Sequence, residues 1–321
     1  MATATNQTIP TVLPVAKSIQ RPGQNMEKQQ RRWGMLFISP WIIGFLLFTL
    51  GPMIASLYFS FTDFNLGSPD VIHWVGLQNW QTLFSDPDAQ QAMVTTLKFA
   101  LIAVPFGLAV PLGLATLLSS KWLVGKRILT TLFYMPYMVP SVSGVFIWLA
   151  FLNFDSGWLN RILRMIGIAN PPNWLQNEST ILPAFLLMGI WGVGNAMLTM
   201  MATMSGVPTE LYEAASVDGA GPFTKWRKIT VPLISPVIFY NLVLSVIGLM
   251  QFFNIPYIAT HGTGDPNKSA YFFNMILFKT AFGFFKMGLA SAMAWLLFIV
   301  ALIFTLVLFG TSRRWVYYGG E

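Results

Sequence analysis

The 321-residue sequence contains no cysteine and only two histidines, His73 and His261. A disulfide scaffold, a thiolate metal site and a cysteine nucleophile are therefore excluded. Two histidines so far apart do not suggest a metal centre. Charge is scarce as well. Asp, Glu, Lys and Arg make up 10% of the chain, against about 25% in a soluble globular domain. Hydrophobic residues account for 55% and aromatics for 15%. That balance excludes a soluble enzyme, a disordered chain and a repeat solenoid, and leaves a polytopic membrane protein. A phosphate loop of the form G-x-x-x-x-G-K-[ST] is missing too. Gly125-Lys126-Arg127 lacks both the upstream glycine and the following Ser or Thr, so the chain does not cradle nucleotide phosphates itself. The net charge of +7 would suggest nucleic acid in a soluble protein. In a membrane protein its distribution matters more, and no nucleic-acid partner is expected.

Six long stretches carry no charge: 33–62, 99–120, 128–154, 179–209, 229–264 and 287–312. Each exceeds the ~20 apolar residues that cross about 30 Å of hydrocarbon. Backbone groups in lipid must satisfy their own hydrogen bonds, which makes these segments helices, and the alternating ~10-residue strands of a β-barrel are not seen. The spans are placed near 35–61, 95–118, 128–152, 181–204, 236–253 and 288–310. Lys17, Arg21, Lys28, Arg31 and Arg32 precede the first span. Lys121, Lys126 and Arg127 join the second to the third, Lys225, Arg227 and Lys228 the fourth to the fifth, and Arg313 and Arg314 follow the last. This set holds most of the basic residues and predicts six spans with both termini in the cytoplasm. Only Lys98, Arg161, Arg164, Lys268, Lys279 and Lys286 fall on the other side.

Residues 1–32 are rich in Thr, Gln, Pro and Asn, lack the apolar core of a signal peptide, and are expected to form a disordered cytoplasmic tail. Residues 33–94 form the first span and its outer connection, 95–312 a membrane core, and 313–321 a cytoplasmic end. The segment 271–285 is aromatic, lies between Lys268 and Lys286, is too short to span, and is expected to be an interfacial or re-entrant helix.

The fourth-to-fifth connection, 205–235, is not a plain tether. Thr209 is placed to cap a short helix with Glu210 and Glu213 in its first turn. Gly219 is placed to end it in the left-handed region, and Gly221-Pro222 re-aims the chain into a second short helix before Pro232. Small Ala214 and Ala215 leave room for a partner to approach. Two readings stand on physics alone: an amphipathic connection on lipid headgroups, or a protein-docking surface. The acidic first helix counts against the first, since anionic lipid attracts Lys and Arg.

Glu213-Ala214-Ala215, Asp218-Gly219-Ala220, Ile229, Val231-Pro232 and Pro236 together resemble the EAA loop of the permease subunits of binding-protein-dependent ABC importers. Val231 stands where the loop usually has Leu, and Trp226 where Phe is common. The wider chain resembles the carbohydrate branch, of the maltose and glycerol-phosphate type. It does so in Ser60-Phe61-Thr62-Asp63, in Val75-Gly76-Leu77-Gln78-Asn79-Trp80, in Pro136, Pro140 and Trp148, in Gly157-Trp158-Leu159-Asn160, and from Gly288 through Trp295. The resemblance implies the type I importer fold. It makes Glu210, Glu213, Ala214, Ala215, Asp218, Gly219 and Pro232 the contact with a cytoplasmic ATPase. It also implies a second permease subunit, an ATPase dimer that hydrolyses ATP with Mg, an extracytoplasmic solute-binding protein, and residence in a bacterial inner membrane with lipid around it.

No Asp, Glu, Lys or Arg lies at the centre of a span. That argues against the ion relay of a secondary transporter and against an intramembrane protease. His73 and His261 fall in outer connections and read as solvated. A non-transporting scaffold predicts nothing polar converging in the bundle, yet Trp191 and Asn195 in the fourth span and Ser245, Gln251 and Phe252 in the fifth form a candidate solute path. Each is individually explicable as helix packing. Tyr134, Pro136, Tyr137 and Pro140 predict a kink in the third span. The chain reads as a permease for a neutral sugar or oligosaccharide, with no cofactor of its own. Glycerol phosphate or another polar organic solute is the second reading.

Overall fold

The computed structural model describes residues 24–318. Most of the expected tail lies outside them. At Gln24 the chain is already helical, so helix rather than tail occupies 24–32. The chain divides into two units between Ala55 and Ser56. The first holds α1 (Gln24–Phe45), a π-turn at Leu46–Leu50, and the start of α2 (Gly51–Phe59).

The second unit follows with α3 (Gln78–Ser85), α4 (Pro87–Ser119), α5 (Lys126–Tyr134), α6 (Ser141–Phe151), α7 (Trp158–Met165), α8 (Glu178–Trp191) and α9 (Gly194–Ser205). Then come α10 (Thr209–Val217), α11 (Pro222–Lys225), α12 (Val231–Leu233), α13 (Ser235–Met250), α14 (Asn254–Ala259), α15 (Phe273–Phe278) and α16 (Met287–Ser312). No strand occurs among the described residues, only an isolated bridge between Thr62 and Trp74.

Four of the expected spans have helices long and apolar enough to cross, and six do if each of two bent helix pairs is one span. The four are Gln29–Phe59, Pro87–Ser119, Ser235–Ala259, which joins α13 and α14 across a short interruption at 251–253, and Met287–Ser312. The other two are bent pairs: α5 turns into α6 through 104°, and α8 into α9 through 48°. The kink expected in the third span is thus a full break, which corrects the single helix over 128–152. A 3-10 turn at Met135–Met138 leads to Val139 at ψ 129°, because the ring of Pro140 forces the preceding residue out of the helical region.

Helix α4 organises the core. The side chain of Asp86 accepts the Asp88 N–H at 2.9 Å, with Pro87 at the first helical position, a strong start signal. Its buried alanines at 89, 92, 100, 103 and 115 let α8, α9, α13 and α15 pack closely on it. Phe99 of α4 meets Phe252 at 4.9 Å and Phe272 at 5.3 Å, with Phe185 of α8 beside both.

Phe272 belongs to the aromatic segment 271–285, whose first residues are core rather than interfacial. Phe272, Phe273 and Met275 are almost fully buried, and the Phe273 N–H donates to Thr96 Oγ1 at 3.0 Å. The burial is confined to the start of the segment, next to the Lys268–Asp88 ion pair of 2.6 Å, whereas Phe282, Phe284 and Phe285 are exposed.

The connection after α2 belongs to the second unit. The Asn79 amide donates to the carbonyls of Ser60 at 3.0 Å and Thr62 at 2.8 Å. The Gly288 N–H donates to Phe64 O at 2.9 Å, and Trp295 Nε1 donates to Ser56 Oγ at 3.1 Å. A Cβ at position 288 would lie 2.1 Å from Thr62 O. Three sequence motifs, the last more than two hundred residues beyond the first two, therefore form one knot.

Candidate functional site

Two places gather the residues singled out by sequence. The first is the connection from α9 to α13. Pro208, not Thr209, occupies the N-cap of α10, and no side chain caps it. The helix ends at Gly219, whose φ is +76°. There the Ala220 N–H reaches Ala215 O at 2.8 Å and the Gly219 N–H reaches Ser216 O at 3.1 Å, a Schellman closure.

The outward stripe of α10 is Glu210, Glu213, Ala214 and Val217, at i, i+3, i+4 and i+7, and all four are exposed, Val217 at 89%. Asp218 and Gly219 are exposed beyond it, whereas Ala215 is half-buried and Pro232 sits at the far end of the loop in α12. The rear of the helix is fixed. Tyr212 Oη and Thr230 Oγ1 share a hydrogen bond of 2.9 Å, and Lys225 Nζ donates to Ser216 Oγ. Trp226 Nε1 donates to Thr116 Oγ1 near the end of α4 at 3.0 Å. The result is a rigidly backed acidic ridge with two small residues, suited to a cleft on another protein.

The second place is where three helix breaks meet. The α5–α6 break is at Val139–Pro140, the α8–α9 break at 192–193, and α13 stops at Met250 before α14 begins at Asn254. A Cβ on Gly194 would lie 2.9 Å from Phe133 O and Tyr134 Cα, which brings the start of α9 against the end of α5. A Cβ on Gly144 would lie 3.6 Å from the Trp191 ring. Trp191 also meets Trp148 edge-on at 5.9 Å. Asn254 Nδ2 donates to Ser141 Oγ at 3.4 Å. Non-helical backbone at membrane depth is tolerated where it is covered by protein or lines a wet cavity.

The five candidate path residues are not one cluster. Phe252 packs in the aromatic core. Trp191 lines an apolar cavity of about 550 Å³ with Phe133, Pro136 and Trp148. Gln251 lines a second cavity of about 660 Å³ with Asn274 and Thr305. Asn195 is exposed, and Ser245 is half-buried with its Oγ near Gly107 of α4. Sequence reasoning missed Ser141, Asn274, Thr116 and Tyr212. Ser141 follows Pro140 and was findable from that break, while the others depend on contacts that local pattern does not encode.

A third cavity, of about 600 Å³, lies among the connections at one end of the unit. Its polar lining includes Asn153, Asp155, Asn173, Gln176, Thr260 and His261. His261 is exposed. His73 is exposed too, and its ring lies 2.9 Å from Asp63. The backbone N–H of His73 and then its imidazole hold the Asp63 carboxyl below the usual range. Among the described residues no three His, Cys, Asp or Glu side chains group as metal ligands.

Residues 107–317 match the family described as the binding-protein-dependent transport system inner membrane component. A probable ABC transporter permease protein, YesP of Bacillus subtilis (strain 168), is 38% identical over 89% of this chain and 92% of its own. The arabinooligosaccharides transport system permease protein AraP of the same organism is 30% identical over 92% and 94%. In the crystal structure of a bacterial ABC transporter involved in the import of the acidic polysaccharide alginate, one chain superposes with a TM-score of 0.77. It is 24% identical and covers 91% of this chain and 99% of that one.

Proposed function

The chain belongs to the inner-membrane components of binding-protein-dependent transport systems, and from that premise we propose that it carries a carbohydrate across the membrane as one permease subunit of an ATP-driven importer. It is a multi-pass membrane protein and not itself the ATPase. On this reading ATP and Mg are used by a cytoplasmic ATPase pair, a second permease subunit completes the channel, and an extracytoplasmic binding protein delivers the solute. The exposed ridge of α10, with Glu210, Glu213, Ala214, Ala215, Asp218 and Gly219, enters the ATPase. Pro232 supports the far end of the loop.

The meeting of three helix breaks carries the solute reading. Asn195, Gln251, Asn254, Ser141 and Tyr137 at or near the breaks bring amides and hydroxyls, and Trp191 and Trp148 bring rings, although Trp191 and Gln251 line separate cavities. None of these groups is charged. Neutral sugars are bound in this way, by hydrogen bonds to hydroxyls and an aromatic face against the ring. An anion in a dry site needs Arg or Lys, because its uncompensated burial is costly. The name of a fold neighbour includes an acidic polysaccharide, so fold alone does not fix solute charge. The side chains at the breaks favour an uncharged one.

The test is uptake by the purified complex in proteoliposomes, with a neutral oligosaccharide and its phosphorylated counterpart in competition. The neutral compound is expected to be preferred. Trp191→Ala with Asn195→Ala is expected to lower uptake at limiting solute about tenfold while basal ATP hydrolysis persists. Preference for the phosphorylated compound, or unchanged kinetics in the double variant, sinks the reading.

A further inference from the structure

Helix α7 is pinned by one face and bare on another. Asn160 is fully buried. Its amide donates to Phe154 O at 3.1 Å and Pro172 O at 3.4 Å, and its carbonyl accepts Trp174 Nε1–H at 2.8 Å. Leu159 packs against the core. Rotation about the axis is thereby fixed, and it turns four apolar side chains outward. Trp158 is 62% exposed, Ile162 47%, Met165 80% and Ile166 69%. At about 100° per residue these four fall within an arc of roughly 100°. Arg161 and Arg164 occupy the next arc. Their guanidinium groups lie 5.5 Å from the Trp158 ring centre and 6.0 Å from that of Phe154.

We propose that α7 is an interfacial helix, with Trp158, Ile162, Met165 and Ile166 seated at the boundary of headgroups and acyl chains and Arg161 and Arg164 against lipid phosphates. The three sectors (buried, apolar and basic) are those of a helix lying in the plane of a bilayer surface, with Trp at the level where it is enriched. Continuity supports the same occupant, since α7 starts soon after the apolar α6 ends at Phe151. Basic residues are sparse on this side of the chain. Although Arg164 Nη2 donates to Phe154 O at 3.3 Å, neither guanidinium has a carboxylate within ion-pair distance among the described residues, and phosphates would supply the anion. A solute-binding protein that docks and leaves would bare the apolar arc to water in every cycle, whereas a bilayer covers it throughout. The proposal goes beyond the transport reading and is independent of solute and coupling.

The chain has no cysteine, so a single fluorophore can be placed cleanly. Met165→Cys and, as control, Asp155→Cys are each labelled with an environment-sensitive dye. Asp155 is exposed and lines the polar cavity. The whole complex is then placed in nanodiscs of phosphatidylethanolamine and phosphatidylglycerol, with and without lipids brominated near the headgroup. The Met165 label is expected to emit blue-shifted and to lose at least half its intensity to brominated lipid, with little loss at Asp155. Three results overturn the proposal. One is equal quenching at both sites. Another is a blue-shifted but unquenched Met165 label, which places the face against a protein subunit. The third is a shift at Met165 that appears only when the binding protein is added.

Discussion

Trp226 stacks on Phe223 at 5.8 Å and donates its indole N–H to Thr116, 110 residues earlier. Together with the Tyr212–Thr230 bond it ties the α10 ridge to the membrane helices by side chains alone. If the ridge is the contact with the ATPase, these bonds carry its movement into α4. Trp226→Phe keeps the stacking and removes the donor. A net hydrogen bond of ~0.5–1.5 kcal/mol corresponds to roughly a twofold to tenfold change in an equilibrium. Uptake per ATP hydrolysed is expected to fall by that factor in proteoliposomes, and Thr116→Ser, which retains the acceptor, to be near normal. Gly219→Val with Glu213→Lys is expected to be harsher, at tenfold or more, since a left-handed residue with a Cβ costs ~1–2 kcal/mol. Full uptake in that double variant ends the coupling assignment. Gly219 was legible in sequence because its neighbours Asp218 and Gly221-Pro222 mark a turn. The bond to Thr116 was not, because nothing local links residues so far apart. Thr209 misled: Pro208 holds the N-cap position and Thr209 is the first helical residue.

Helices were legible as apolar runs because hydrocarbon thickness fixes their length. Their interruptions were legible only where proline announced them. Pro140 marked the break after α5, but the break at 192–193 carries no proline, only the flanking glycines Gly192 and Gly194. The two glycines differ in what surrounds them. A Cβ at 194 meets the backbone of α5 at 2.9 Å, and backbone cannot swing aside. At 192 the nearest atom is 3.6 Å away, an ordinary contact. Gly194→Ala is therefore expected to destabilise the chain by ~1–3 kcal/mol through forced separation of α5 and α9. Gly192→Ala is expected to stay within about 0.5 kcal/mol. Thermal unfolding of the purified complex compares them, and equal midpoints would mean that the α5–α9 approach is not tight. The buried start of the segment 271–285 was not legible in sequence for a related reason. Aromatic side chains suit both a membrane interface and a buried core, and only the hydrogen bond from Phe273 to Thr96 distinguishes the two.

At the scale of the whole molecule, sidedness rests on charge. Lys121, Lys126, Arg127, Lys225, Arg227, Lys228, Arg313 and Arg314 all belong to connections that the six-span order puts on one side. Basic residues near span ends are retained on the cytoplasmic side. Two broken spans do not change that order, provided each bent pair crosses once. If either pair instead turned back as a re-entrant loop, every later connection would change sides. The connection between α4 and α5 would then face opposite to the one holding α10. The cysteine-free chain makes this decidable. Ser68 and Asp155 are exposed in expected outer connections, while Val124 is 90% exposed between α4 and α5 and Val217 is 89% exposed on α10. Single cysteines at Ser68 and Asp155 are expected to react with an impermeant maleimide in intact cells. Those at Val124 and Val217 are expected to react only after the membrane is opened. Labelling at Val217 but not at Val124 in intact cells would show that a bent pair between them fails to cross, and the α10 ridge would then lie on the wrong side to meet a cytoplasmic ATPase.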